Sequence, residues 1–389
     1  MNERGAAGLK TLVFAVVTAA FTTIYITQPV LPVIAGQFGV DEARASLTVS
    51  AVVLGIALAN LPFGALADRY RVKPIVAFGG AVVALFGLAS AFAPTLPLLV
   101  AARFAQGLCI PALTTCLVVH LARALPPERL GEAMGAYVSA TVAGGLGGRL
   151  LGGFALGAEK WRWAFVIGAG LVACSSFAAA RLLPPAPPRS AAERRGGGFL
   201  PLLRRWATLR LFLVGFGAFF VFSSVFTYLP FRLSGPPFEM GTRAITLLYL
   251  SYLVGVLIGP VAGRAVDRHG AGPTLAGGAA IFVVAVLLTL APSLPLVALA
   301  LALVCAGFFS VHAAAVAALN RRLAAARGKA NALYTLFYYL GGAAGITASG
   351  HAYKAAAWRG VAALALAALA LLFAAGIVET RAARADEIR

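Results

Sequence analysis

The chain has 389 residues, of which 61% are apolar and 12% charged, and a formal net charge of +19 at neutral pH. That ratio excludes a soluble domain of this size. Apolar runs of about 18 or more residues read instead as helical membrane spans, because a bilayer core of about 30 Å takes about 20 helical residues.

Twelve such runs follow one another, near 11–35, 45–67, 74–93, 96–122, 131–156, 162–183, 208–231, 244–265, 274–292, 295–319, 330–352 and 356–378. The first is too long, and too polar near Tyr25 and Gln28, for a cleaved signal. After the sixth comes Pro184-Pro-Ala-Pro-Pro-Arg189, then Arg194-Arg195, a glycine triplet and Arg204-Arg205. Such a stretch packs no core and reads as a flexible or interfacial linker. It divides the chain into a first six-span bundle (1–183), a linker (184–207) and a second six-span bundle (208–389). The expected fold is an all-α membrane protein of twelve transmembrane helices. Its two six-helix bundles run parallel, in a pseudo-two-fold arrangement about the membrane normal.

Charge placement sets the orientation and argues against nucleic acid as a partner. Seven of the 32 basic residues (Arg44, Lys160, Arg162, Arg232, Arg243, Lys354, Arg359) fall on the side away from the termini, and Arg103 and Arg149 fall inside spans. The remaining 23 of the 32 lie on the side of the termini. By the positive-inside bias both termini are cytoplasmic. Cys109, Cys116, Cys174 and Cys305 all lie within spans, so neither a structural disulfide nor a zinc site is expected.

The halves repeat. Gly64-Ala-Leu-Ala-Asp68-Arg69 returns as Gly263-Arg-Ala-Val-Asp267-Arg268, 199 residues on. At an offset of 197, Gly144, Gly145, Gly148 and Gly153 fall on Gly341, Gly342, Gly345 and Gly350. Small residues at i, i+4 and i+8 make a flat stripe for close helix approach. In a membrane chain, repeats of this kind most often belong to a transporter.

No phosphate loop, zinc-protease or serine-hydrolase motif appears, so no enzyme and no cofactor are expected. The 13 acidic residues all fall near span ends, in loops or at the termini. Asp41, Glu42, Glu159 and Glu239 fall on one side, Asp68, Glu128, Glu132, Glu193 and Asp267 on the other. A buried carboxylate would be the usual counter-ion for a cationic substrate.

Arg103 and Arg149 are the sharpest signals, since a mid-span arginine costs about 2.5–3.5 kcal/mol even on the lenient insertion scale. Gln106 shares a face with Arg103, Tyr25 and Gln28 share a face of span one, and all lie at comparable depth, which predicts one polar cluster in the first bundle. Arg103 reads as a substrate or proton-gating group, or else as a guanidinium bonded to the carbonyls of a broken neighbouring helix. Arg149 sits in the series Gly145, Arg149, Gly153 and so faces a close helix contact as readily as a cavity. His312, inside span ten, reads as a hydrogen-bonded core group or as a proton carrier. In the second half Tyr228, Tyr252 and Tyr338, with the hydroxyls of span seven, suit an amphiphilic ligand or simple helix packing.

Gly64-x-Leu66-Ala67-Asp68-Arg69-x-x-x-Lys73 resembles the loop 2–3 signature of the major facilitator superfamily, with Arg71 where the family usually has glycine. Arg103-x-x-Gln106-Gly107 resembles the span-four signature of its drug:proton antiporters. Gly135, Gly144, Gly148, Gly152 and Gly153 resemble their span-five glycine pattern, with Arg149 in place of the family's proline. Tyr25-x-x-Gln28-Pro29-x-Leu31-Pro32 and Met134-Gly135-x-Tyr137 are similar to the bacterial YnfM-type branch.

The resemblance implies alternating access. Asp68 would dock on helix ends of the opposite half, and Gly64, Asp68, Arg69, Lys73, Gly144, Gly148, Asp267 and Arg268 would serve gating. It also implies a monomeric, multi-pass transporter of the bacterial inner membrane, working on a small molecule with protons as partner. Proton-coupled efflux of a neutral, zwitterionic or anionic compound is the leading expectation. Import or exchange of an organic anion, and a non-transporting receptor on the same fold, are the alternatives.

Overall fold

A computed structural model describes residues 3–155, 157–185, 198–323 and 326–387. The described chain is helical throughout. In order come α1 (Glu3–Ile24), α2 (Leu31–Phe38), α3 (Glu42–Arg69), α4 (Val72–Phe92), α5 (Leu96–Leu113), α6 (Thr115–Ala124), α7 (Pro127–Phe154) and α8 (Arg162–Leu182). The second half holds α9 (Leu200–Arg204), α10 (Trp206–Ser234), α11 (Thr242–Leu248), α12 (Tyr252–His269), α13 (Ala271–Leu288), α14 (Leu294–Arg322) and α15 (Arg327–Glu387).

Ten described stretches are long and apolar enough to cross a membrane. One of them, Arg327–Ala383, bends where Ala356 and Ala357 leave helical dihedrals, and so supplies two spans. The 28 residues of α7 reach about 42 Å and make the twelfth. Residues 186–197 of the expected linker lie outside the described residues, and its later part forms α9, with Leu202 buried.

Three spans expected to be continuous are not. Span one is divided at Tyr25–Thr27, followed by a 3₁₀ turn over Gln28–Val30 and then α2. Pro29 and Pro32 explain the break: each lacks an N–H and crowds the carbonyl four residues earlier. Span four bends at Thr114, one turn after Pro111. Span eight passes through a 3₁₀ turn, Tyr249–Ser251, between α11 and α12.

Contacts gather the chain into two compact units, Met1–Gly39 with Ala51–Gly197 and Val40–Ser50 with Gly198–Arg389. In the first unit, α1 and α7 meet backbone to backbone. A methyl added at Gly144, Gly148 or Gly152 would overlap the carbonyl oxygen of Thr18, Thr22 or Ile26 respectively. The contact stripe is therefore Gly144, Gly148, Gly152. The series Gly145, Arg149, Gly153 lies one position round the helix, so Arg149 does not lie in that seam. The second unit repeats the seam, with Gly341 on Phe216 and Gly345 on Phe220.

Polar contacts at the helix ends on the side of the termini depart from the repeat. In the first unit Arg123, at the end of α6, donates to Asp68 Oδ1 at 2.6 Å and to the Ala67 carbonyl at 2.7 Å. Its counterpart 199 residues on, Arg322, instead donates to Glu379 Oε2 at 2.6 Å. Arg210 reaches the other oxygen of the same carboxylate at 2.6 Å. Asp267 is exposed. The sequence places Glu379 merely near the terminus, yet it is 4% exposed beneath two guanidinium groups.

Four stability outcomes follow for detergent-purified protein. Gly148→Ala should cost about 1–3 kcal/mol by overpacking and lower the apparent thermal midpoint. Gly135→Ala, where nothing lies within 4 Å, should change stability by about 0.5 kcal/mol or less, or raise it. Glu379→Gln should cost about 3 kcal/mol, because two arginines lose their carboxylate, while Asp267→Asn stays within about 0.5 kcal/mol.

Candidate functional site

In the first unit the site forms around the break in span one. Gln28 N–H donates to the Tyr25 carbonyl at 3.2 Å rather than back to Ile24, as a continuous helix would require. Arg103, fully buried on α5, takes the freed groups. Its guanidinium donates to the Thr23 carbonyl at 2.7 Å and to the Ile24 carbonyl. It also donates to Gln106 Oε1, and Gln106 Nε2 in turn donates to the Val83 carbonyl at 3.1 Å. The Phe165 ring closes one side, 5.3 Å from the guanidinium carbon. A cation at the carbonyl end of a helix is also favoured by the helix dipole.

Arg149, 1% exposed, reaches the other side of the break from α7. Its Nε donates to Gln28 Oε1 at 2.7 Å and its terminal nitrogen to the Gly145 carbonyl at 2.6 Å. Its guanidinium stacks over the Tyr25 ring at 4.1 Å, a geometry favoured by the ring quadrupole. Tyr25, Gln28, Arg103, Gln106 and Arg149 thus all touch the broken segment or its partners.

The second unit holds an aromatic wall. Phe219, Phe222 and Phe226 recur on α10 at three- and four-residue spacing. Tyr249 and Tyr252 face Phe226 at 5.7 and 5.1 Å between ring centroids. Phe308 stacks on Phe222 at 4.0 Å, and Tyr338 on Phe219 at 3.9 Å. His312 sits among them, 5.4 Å from the Tyr338 ring centroid and 6.0 Å from that of Phe308. Its Nδ1 lies 2.9 Å from the Tyr334 hydroxyl. His312, Tyr338 and Tyr339 are only half-buried, so the wall has open edges.

Tyr228 stands apart from this wall. Its hydroxyl donates to the Ile346 carbonyl at 3.1 Å and lies 2.8 Å from Ser46 Oγ. Its ring stacks on Tyr353 at 5.4 Å. Among the gating candidates, Asp68 is paired with Arg123 within its own unit, and Lys73 donates to the Arg181 carbonyl at 3.1 Å. Arg69, Asp267 and Arg268 are exposed. At Gly64 the nearest atom to an added methyl would be Thr115 Cγ2 at 3.8 Å, so that glycine is not held by crowding. Among the described residues no group of three or more His, Cys, Asp or Glu could hold a metal.

Sequence reasoning missed Phe165, the α10 phenylalanines and Phe308, which in an apolar span look like ordinary lipid-facing residues. It also missed Arg123, although Arg123 and Arg322 repeat at the 199-residue offset of Asp68 and Asp267.

The sequence profile of the major facilitator superfamily matches residues 13–257 and 233–387. The chain belongs to this superfamily. It is 28% identical over 366 residues to YybF, an MFS-type transporter of Bacillus subtilis strain 168, covering 92% of this chain and 91% of that one. It is 28% identical over 356 residues to the inner membrane transport protein YnfM of Escherichia coli K12, covering 90% and 84%. In fold it matches the crystal structure of a bacterial homologue of the human lysosomal transporter Spinster, with a TM-score of 0.81 at 15% identity over 99% of this chain and 98% of that one. The protein is therefore a multi-pass membrane transporter of the major facilitator superfamily.

Arg103→Ala leaves two buried carbonyls and an amide oxygen without their donor, at about 1–3 kcal/mol for each unsatisfied group. The apparent thermal midpoint should fall clearly, even in a variant that still inserts. An unchanged midpoint would contradict the holding role of Arg103 at the break.

Proposed function

We propose that the protein is a proton-coupled exporter of a small organic compound that is neutral, zwitterionic or anionic. It works by alternating access in the bacterial inner membrane, with both termini cytoplasmic. The observation that carries this reading is the aromatic wall around His312, a stacking surface with open edges and an imidazole already bonded to a tyrosine hydroxyl. Rings of this kind take flat or amphiphilic organic molecules with little demand for a fixed polar pattern.

Charge supports the substrate class. The two mid-span Lys or Arg residues of the first bundle, Arg103 and Arg149, put positive charge there, while the acidic residues fall at span ends, in loops and at the termini. Such a field disfavours a lone cation. Coupling to protons is supported by His312, an imidazole inside a span whose Nδ1 lies 2.9 Å from the Tyr334 hydroxyl, a ready proton-exchange partner. The antiporter-like glycine pattern of α7 and the span-four signature around Arg103 support export by exchange. Gating falls to the Asp68–Arg69 turn, whose bond to Arg123 is the contact a moving gate would exchange.

A thermal-shift screen of metabolites, dyes and antibiotics identifies a ligand through stabilisation of the folded state. In everted membrane vesicles an acid interior should then drive accumulation of that ligand, and a protonophore should abolish it. Accumulation indifferent to the protonophore would overturn proton coupling. His312→Gln should flatten the pH dependence of the transport rate, and a wild-type profile would remove His312 as the carrier.

A further inference from the structure

At the end of the second unit away from the termini, the two halves of the repeat solve one problem with different arginines. In the first unit Arg162, beside Trp161, donates to the carbonyls of Ala91 and Ala93 at the end of α4, at 3.0 and 2.8 Å. Those carbonyls have no helical partner, so a cation there is well used. The equivalent pair in the second unit, 197 residues on, is Trp358 and Arg359. There the carbonyls that follow α13, those of Leu290 and Ala291, are taken by Arg232 from α10, at 3.2 and 3.1 Å. Arg232 also lies 5.6 Å from the Trp358 ring centroid. Arg359 is relieved of that role and is exposed.

What Arg359 faces instead is a cavity of 680 Å³ that it lines together with Arg232. The remaining wall is apolar, built from residues such as Leu290, Pro292, Ala363 and Leu366, and no acidic side chain lines it. Arg232 carries a buried Nε with no hydrogen-bond partner. From the cavity the second arm of α15 runs on through outward-facing apolar residues, Leu371 at 74% and Phe373 at 40% exposure. Two guanidinium groups above an apolar floor, at the edge of a membrane-crossing helix, match a phosphate with a hydrocarbon chain below it.

We propose that this cavity binds the headgroup of an anionic phospholipid, with Arg359 and Arg232 on the phosphate and the apolar wall against the first carbons of an acyl chain. The assignment is independent of the transport reading and concerns a peripheral site on the second bundle. Neither arginine alone would suffice. Arg232 is already engaged with two carbonyls, and Arg359 supplies the uncommitted charge.

The test uses full-length protein in a neutral detergent, with dioleoylphosphatidylglycerol, dioleoylphosphatidylcholine or sodium phosphate added in separate arms. Phosphatidylglycerol should raise the apparent thermal midpoint by about 3 °C or more, as binding to the folded state requires. Phosphatidylcholine and inorganic phosphate should raise it little. Arg359→Gln should lose at least half of the phosphatidylglycerol shift without changing the unliganded midpoint. Arg243→Gln, which removes an exposed cation outside the cavity, should keep the shift. Equal shifts with both lipids would overturn the proposal. So would a full shift from inorganic phosphate, or equal losses in the two variants, which would signify a free-anion site or diffuse surface charge.

Discussion

A broken helix inside a membrane has to be repaid in hydrogen bonds, and here one guanidinium supplies them. Pro29 and Pro32 deny span one a continuous ladder, which leaves the carbonyls of Thr23 and Ile24 without backbone donors. Away from water in a bilayer, each unsatisfied group would cost several kcal/mol. Arg103 bonds both carbonyls and is itself steadied by Gln106 and Phe165. The rest of the first bundle's interior depends on this. Because the break is held open, Tyr25 and Gln28 present their side chains to Arg149, while Thr18, Thr22 and Ile26 keep their carbonyls against the glycines of α7.

Read this way, the two mid-span arginines divide their work. Arg103 bonds main chain and is committed to architecture. Arg149 bonds the Gly145 carbonyl of its own helix, but its other partners named above, a side-chain amide and a tyrosine face, can reorient, so it is the more adaptable of the two. The second unit has no counterpart to either. Its interior relies on stacked rings, and among them sits the imidazole of His312. The first bundle is thus organised by hydrogen bonds and the second by dispersion and ring quadrupoles.

The number of spans, the division into halves and the glycine seams were legible in the sequence, because all rest on long-range periodicity and composition. So was the meeting of Tyr25, Gln28 and the two arginines, because helical spacing and depth suffice to bring polar groups together in an apolar medium. The breaks in spans one, four and eight were written less plainly. Prolines mark the first two, yet hydropathy averages over them. The register of the α7 seam was left open by the sequence, since glycines at 144, 145, 147, 148, 152 and 153 offer two stripes and only the carbonyls of span one select between them. The aromatic wall was invisible, because a phenylalanine facing lipid and one facing a ring read alike. The charge trio of Arg210, Arg322 and Glu379 needed three helix ends brought together, which no local pattern encodes.

The exchange of partners at the helix ends bears on how such a chain could have arisen. Arg123 and Arg322 occupy the same place in the repeat, yet one bonds the turn aspartate and the other bonds a glutamate from the last helix. If the halves descend from one ancestral segment, each has since acquired contacts the other cannot supply. A protein assembled from two copies of the first half would lack Glu379 and Arg210. One assembled from two copies of the second would lack the Asp68 pairing. Each half nonetheless closes its own acid–base set, Asp68 with Arg123 in the first unit and Glu379 with Arg210 and Arg322 in the second, so the copies have diverged in how their helix ends are tied without either coming to depend on the other for it.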